Sequence, residues 1–193
     1  MSAKLDLIKE LKEAVRATYE GERREGIHVS DLVLCLRKQV RHRLNPTALT
    51  DIDMRNFNQG RSHHSTLQQL AKRLRDKQHS VEIEKDVRLS DIVGHIDLVI
   101  DGNIAIEIKT TRQSHARPSK HYFTQLKYYM AILGANFGKI LVESYNAVTE
   151  PWSETNVKLN NDELKDTLSE LEEKASIFRR AIAANEWLLA PHV

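Results

Sequence analysis

Apolar and polar positions alternate most regularly from Gly94 to Lys109, GHIDLVIDGNIAIEIK. Ile96, Leu98 and Ile100 take one parity of a first strand, and Ile104, Ile106 and Ile108 take one parity of a second. Period-two patterning of this kind marks half-buried β-strands. A three-residue loop, Asp101-Gly102-Asn103, sets Ile100 opposite Ile104 and aligns the isoleucines on one face. A two-residue loop would slip the register and break that alignment. The spacing therefore predicts a hairpin with Asp97 opposite Glu107, and Lys109 one step further along opposite His95.

The rest of the chain reads as alternating helices and strands. Residues 4–24 carry a helical stripe, Leu5, Ile8, Leu11 and Val15. Ser30 is an N-cap for a second helix running to about Arg43, stopped by Asn45-Pro46. A third helix covers about 51–77, with Gly60 near its middle or at a break. Val81, Ile83, Lys85, Val87 and Leu89 alternate as a strand leading into the hairpin. After the polar loop TTRQSHARPSKH, Pro118-Ser119 precedes a helix to about Gly134. Lys139–Ser144 and Thr155–Leu159 read as strands, and Asn160, Asn161 and Asp162 cap a long final helix. In that helix Leu164, Leu168, Leu171, Ala175, Phe178 and Ile182 form a narrow heptad seam, read first as packing within the chain and second as a dimer contact. The order implies an α/β fold, with a mixed central sheet flanked by helices and a helical N-terminal region. A single domain is expected over 1–193: a helical N-terminal region over 1–78, the catalytic sheet and helix over 79–160, and a long C-terminal helix over 161–193.

Composition changes this picture little. The 193 residues suffice for one sizeable core, and 29% charged with 40% hydrophobic residues is usual for a soluble globular chain. A net charge of +2 gives no global basic field, so any nucleic-acid affinity must come from local patches. The single cysteine, Cys35, excludes an internal disulfide. No run of about 20 apolar residues is present. The N-terminus lacks the apolar core of a signal peptide, so the expected location is cytoplasmic, with no membrane partner.

The chemistry lies in the hairpin. Two carboxylates facing each other, Asp97 and Glu107, repel unless a cation sits between them. Mg²⁺ or Mn²⁺ suits carboxylate and water oxygens, and Lys109 beside such a site can orient a water or stabilise developing negative charge. These are the components required to hydrolyse a phosphodiester.

Four elements in order, Gly60-Arg61-Ser62-His63-His64, Asp97, Glu107-Ile108-Lys109 and Gln125-x-x-x-Tyr129, resemble the motifs of the PD-(D/E)XK nuclease superfamily. The chain resembles the RecB-like branch, and more narrowly the CRISPR-associated RecB-like exonucleases, over roughly residues 28–146. The resemblance implies a restriction-endonuclease-like core and a metal-dependent exonuclease acting on single-stranded DNA or DNA ends. It implies that His64 (His63 as fallback), Asp97, Glu107 and the backbone carbonyl of Ile108 hold Mg²⁺ or Mn²⁺. Asp97, Glu107, Lys109, Gln125 and Tyr129 would form the catalytic group. The iron–sulfur cluster of the narrower family needs four cysteines, and Cys35 stands alone, so no cluster is expected. Candidate DNA contacts are Arg37 and Arg41 on the second helix, Arg112 and Arg117 in the polar loop, and Tyr122. Tyr122, Phe123, Tyr128 and Trp152 could stack on unpaired bases. The alternatives are a structure-specific endonuclease and a non-catalytic DNA-binding subunit of a larger nucleic-acid-processing complex; the partners expected are DNA and either a second copy of the chain or a larger nuclease complex.

Overall fold

The computed structural model describes residues 13, 14, 17, 25–73, 78–113 and 117–192. The expected stripe Leu5, Ile8, Leu11 and Val15 lies outside the described residues. From Ile27 the elements run β1 (Ile27–His28), α1 (Val29–Val33), α2 (Leu36–Leu44), α3 (Asp51–Ala71), β2 (Val81–Leu89), β3 (Ile92–Ile100) and β4 (Ile104–Thr111). Then follow α4 (Lys120–Leu133), β5 (Phe137–Ser144), β6 (Trp152–Lys158), α5 (Asn161–Ala183) and a 3₁₀ turn at Trp187–Leu189. The strands form one mixed six-stranded sheet. Pairs β2–β3, β3–β4 and β5–β6 are antiparallel; β1–β3 and β4–β5 are parallel, with α4 as the crossover from β4 to β5.

The hairpin turns as the spacing predicts. Asp101 (φ 51°) and Gly102 (φ 72°) both take left-handed conformations, which Asp-Gly accommodates, and Ile100 pairs with Ile104. Pairing continues only to Leu98↔Ile106. There β4 leaves β3 while staying paired with β5 as far as Thr111↔Ser144. β2 occupies one edge of β3 along its whole length, so β1, which pairs with Ile92 and Val93, takes over the edge that β4 vacates. The sheet thus splits beside Asp97 and Glu107. Lys109 does not face His95 as the simple hairpin implies: it pairs with Val142, and His95 pairs with Asp86.

A second departure concerns the faces of β3. Ile96 and Leu98, expected on one face, belong to different cores. Ile92, Ile96, Val87, Val99 and Ala105 join a large core with α1, α2, α4 and α5. Leu98, Ile100, Ile106 and Ile108 form a smaller core with Val81, beneath Leu67 and Ala71 of α3. The change of face coincides with Glu84, a non-glycine residue at φ 50° within β2. The strands are buried on both faces rather than half-buried, because helices cover each side.

The second expected helix is two helices, broken at the extended residue Leu34. Its start is stabilised by Asp31, whose carboxylate accepts from the His28 backbone N–H (3.0 Å), and not by Ser30. Nothing local in Leu34-Cys35 marks the break. The cause is tertiary: Arg43 donates to Asp31 (2.8 Å) and to the Gly26 carbonyl (3.2 Å), holding α2 back against α1. α3 runs straight through Gly60. Asn160 caps α5 in a reciprocal box with Glu163. The heptad seam packs inside the chain: Leu164, Leu171, Ala175 and Phe178 are buried, with Leu168 and Ile182 against the same core. Among the described residues no helix is long and apolar enough to cross a membrane.

Candidate active site

The split in the sheet frees the side chains beside it. Glu107 is fully buried, and among the described residues its Oε2 has no hydrogen-bond partner. Its Oε1 is ion-paired with the Lys109 ammonium. Asp97, also buried, accepts a hydrogen bond at Oδ2 from the Ile108 backbone N–H (2.6 Å), so it bridges the gap that the ladder leaves. The Asp97 Oδ2 lies 2.9 Å from His64 Nε2 on α3. An ionised carboxylate in such a setting costs several kcal/mol unless compensated.

Lys109 and a protonated His64 are two cations against three carboxylates, Asp97, Glu107 and Glu84. Burial, and then the neighbouring Asp97, push Glu107 up to about 8 despite Lys109. Burial works against charge on Lys109, yet Glu107 and Asp97 hold its pKa above the ordinary value, so the ammonium stays protonated. The remaining deficit is positive charge between Asp97 and Glu107. A divalent cation suits these donors, hard oxygens and one imidazole nitrogen, with Glu107 Oε2 still unpartnered among the described residues.

Glu84 adds a carboxylate that the hairpin motif does not contain. Its carboxylate accepts from Gln68 and lies 3.6 Å from His64 Nδ1. Gln68 Nε2 is also 3.2 Å from His64 Nδ1. His64 is therefore held between Asp97 and Glu84. Burial opposes its charge, but hydrogen bonds to the two carboxylates outweigh burial and raise it to about 10. Glu84 is held below the usual carboxylate range, first by that hydrogen bond. One ligand atom each from His64, Glu84 and Asp97 lie within 4.8 Å of one another. Glu84 thus joins the pair His64–Asp97, while Glu107 interacts with the same two residues electrostatically. The signal for Glu84 was available: continuing the β2–β3 register, with Ile83 opposite Leu98, sets residue 84 across from Asp97.

On α4, Gln125 Nε2 donates to the Tyr129 hydroxyl (3.0 Å). Tyr129 is buried, and its hydroxyl is also hydrogen-bonded to the His95 backbone. Burial, followed by the nearby Glu107, raises its pKa. Gly94 makes this placement possible, since a Cβ there would stand 2.6 Å from Tyr129 Cε1 and 3.1 Å from Val29 Cγ2. Tyr122 lies under the Lys109 ammonium, 5.5 Å from its ring centre. The structure therefore gathers His64, Asp97, Glu107, Ile108, Lys109, Tyr122, Gln125 and Tyr129 around the split.

The basic candidates separate. Arg37 donates to the Ala190 carbonyl (2.8 Å) and Arg41 stands over Trp187 (5.6 Å), so both hold the C-terminal segment. Arg112 donates to Gln59 of α3 beside the site, and Arg117 is exposed. Tyr128 is buried, with its hydroxyl between Glu170 and Lys174, and Phe123 packs on the large core. Trp152 is exposed at the start of β6. His63, the fallback ligand, points away from the carboxylate pair toward Glu143 (3.3 Å) and Tyr145.

A family model described as the PD-(D/E)XK nuclease superfamily matches residues 8–192. No curated protein sequence matches the chain. Among solved structures, SSO0001 is 20% identical with a TM-score of 0.60, over 88% of this chain and 86% of that one. LHK-Exo in complex with dAMP is 14% identical with a TM-score of 0.59, over 89% and 95%. A phage-related exonuclease from Haemophilus somnus 129PT is 11% identical with a TM-score of 0.57, over 83% and 96%. These likenesses carry the fold, and the family match spans the carboxylates, the lysine, the histidine and the glutamine–tyrosine pair. The chain belongs to the PD-(D/E)XK nuclease superfamily.

Proposed function

We propose that the protein is a Mg²⁺- or Mn²⁺-dependent deoxyribonuclease that acts on single-stranded DNA or DNA ends, in the manner of an exonuclease. The observation that carries the reading is the fully buried Glu107 carboxylate, paired on one oxygen by a protonated Lys109 and with its other oxygen unpartnered among the described residues, beside Asp97 and His64. His64, Asp97, Glu107 and the Ile108 carbonyl are the residues to hold the cation, with Glu84 beside them. The cation, when bound, offsets charge on the scissile phosphate and leaving oxygen.

The chain's own groups do the rest. Lys109 orients the attacking water and stabilises the charge that grows on the phosphoryl oxygens. Held protonated by Glu107 and Asp97, it acts as a cation and not as a free base. Gln125 and Tyr129 fix the wall behind Glu107, and Tyr122 confines the ammonium. Exonucleases among the structural neighbours, one of them holding dAMP, support DNA as the substrate. The protein is read as cytoplasmic.

The test is cleavage of end-labelled single- and double-stranded DNA with Mn²⁺, Mg²⁺ or chelator, for the native chain and Lys109→Ala. Metal-dependent cutting that disappears in the variant is the expected outcome, and the product ladder separates terminal from internal attack. DNA binding without any cutting would leave the non-catalytic subunit as the better reading.

A further inference from the structure

Gly60 is out of place on physical grounds. A glycine within the interior of a 21-residue helix costs about 1 kcal/mol relative to alanine. Packing does not require it, because among the described residues a Cβ at residue 60 meets nothing within 4 Å. The empty space belongs to a cleft of about 360 Å³ between α3 and the end of β4. Asn56, Gln59 and Gly60 line one wall; Thr111, Arg112 and Tyr145 line the other.

Helical spacing connects this cleft to the candidate metal ligands. Asn56, Gly60, His64 and Gln68 follow one another at four-residue intervals on α3, so they form one row. At 1.5 Å per residue, Gly60 lies about 6 Å along the axis from His64. On the opposite wall Thr110 and Thr111 continue directly from Lys109. The lining consists of amides, hydroxyls and one guanidinium. Arg112 already reaches across to Gln59, which leaves further N–H groups for an anion. The Tyr145 hydroxyl is buried and, among the described residues, has no hydrogen-bond partner. Its ring stands against His63, with centroids 4.3 Å apart.

We infer that this cleft seats one unpaired nucleotide adjoining the scissile phosphate, with Gly60 leaving room for the strand. The inference rests on the nuclease reading and names the substrate form for it. Arg112 takes the flanking phosphate. Asn56, Gln59 and the Tyr145 hydroxyl offer hydrogen bonds to sugar or base edge. The cleft is at the small end of ligand pockets and matches one nucleotide rather than stacked base pairs.

The test uses binding of a fluorescent single-stranded oligonucleotide with Ca²⁺ in place of the cleavage metal, alongside Mn²⁺ calorimetry and thermal melts. Gly60→Ala should melt at or above the native temperature and bind the oligonucleotide normally. Gly60→Leu, equally compatible with the helix, should lose about tenfold or more in single-strand affinity while keeping the native Mn²⁺ affinity. Tyr145→Phe should fold at least as well, since it deletes an unpartnered hydroxyl, yet bind the strand more weakly. Native-like single-strand affinity in Gly60→Leu would overturn the inference and leave the nuclease reading standing if the native chain cuts. An equal loss on blunt duplex would overturn the unpaired form of the substrate. A native chain that neither binds nor cuts DNA would remove both.

Discussion

Gly94→Ala adds one carbon where the structure has no space for it. The new Cβ would be 2.6 Å from Tyr129 Cε1 and 3.1 Å from Val29 Cγ2, far inside van der Waals contact. Neither neighbour is free to retreat: Val29 is 0% and Tyr129 4% exposed, and the Tyr129 hydroxyl is tied to Gln125 and to the His95 backbone. Overpacking of this kind costs about 1–3 kcal/mol. The restricted unfolded chain returns about 0.4–1 kcal/mol. The net expectation is a loss of about 1–2 kcal/mol, which for a chain of this size lowers the melting temperature by roughly 2–8 °C. Relief of the clash must displace the ring that backs Glu107, so cleavage should fall further than the folded fraction does. Thermal melts followed by circular dichroism, with cleavage assayed well below the transition, separate the two effects. In a Tyr129→Leu background the same alanine should cost less, because the ring it strikes is gone. A Gly94→Ala protein that melts at or above the native temperature would refute the argument.

Other outcomes follow from the same geometry. Glu107 and His64 are both raised in the folded state, from 4.5 to about 8 and from 6.5 to about 10, so the folded chain binds more protons than the unfolded one. Stability in chelator should therefore fall as pH rises from about 6 to 9, and saturating Mn²⁺ should flatten that slope; chelator melts that improve with pH would contradict it. Over the same range Mn²⁺ should bind more tightly as pH rises, read by calorimetry, because it competes with those protons. Glu84→Gly relieves a left-handed residue worth about 1–2 kcal/mol yet removes a carboxylate from His64, so it should fold at least as well in chelator while weakening Mn²⁺ about 10–100-fold. Tyr128→Phe, which severs the contacts to Glu170 and Lys174 away from the split, should cost about 1 kcal/mol and leave cleavage unchanged.

The features of this protein legible in its sequence are those fixed by short-range rules. The Asp-Gly turn sets the hairpin register through Ile100↔Ile104, and Asn160 with Glu163 fixes the start of α5. The motif residues His64, Asp97, Glu107, Lys109, Gln125 and Tyr129 do meet, because each is placed by a strand or helix whose periodicity is clear. What could not be read depends on contacts distant in sequence. Arg37 and Arg41 look like a basic patch until the C-terminal segment folds over them. The break at Leu34 depends on Arg43 returning to Asp31 and Gly26. Glu84 looks like one more surface glutamate until β2 and β3 pair.

The irregularities of the sheet and the charge deficit occur at one place, and one explains the other. A regular β3–β4 ladder would continue past Leu98↔Ile106 and join the Asp97 and Glu107 backbones, setting their side chains side by side. Separation of the strands gives Asp97 the Ile108 N–H instead, while Glu107 is left with the Lys109 ammonium. The change of face between Ile96 and Leu98, with Glu84 in a left-handed conformation opposite, brings a further carboxylate to His64. Each departure is unfavourable alone, through strain, lost ladder bonds or a buried charge. On the proposed reading, a cation bound between the carboxylates would offset these costs together. The large core of α4 and α5, with its buried seam, is what keeps the chain folded while that site stays strained and under-neutralised.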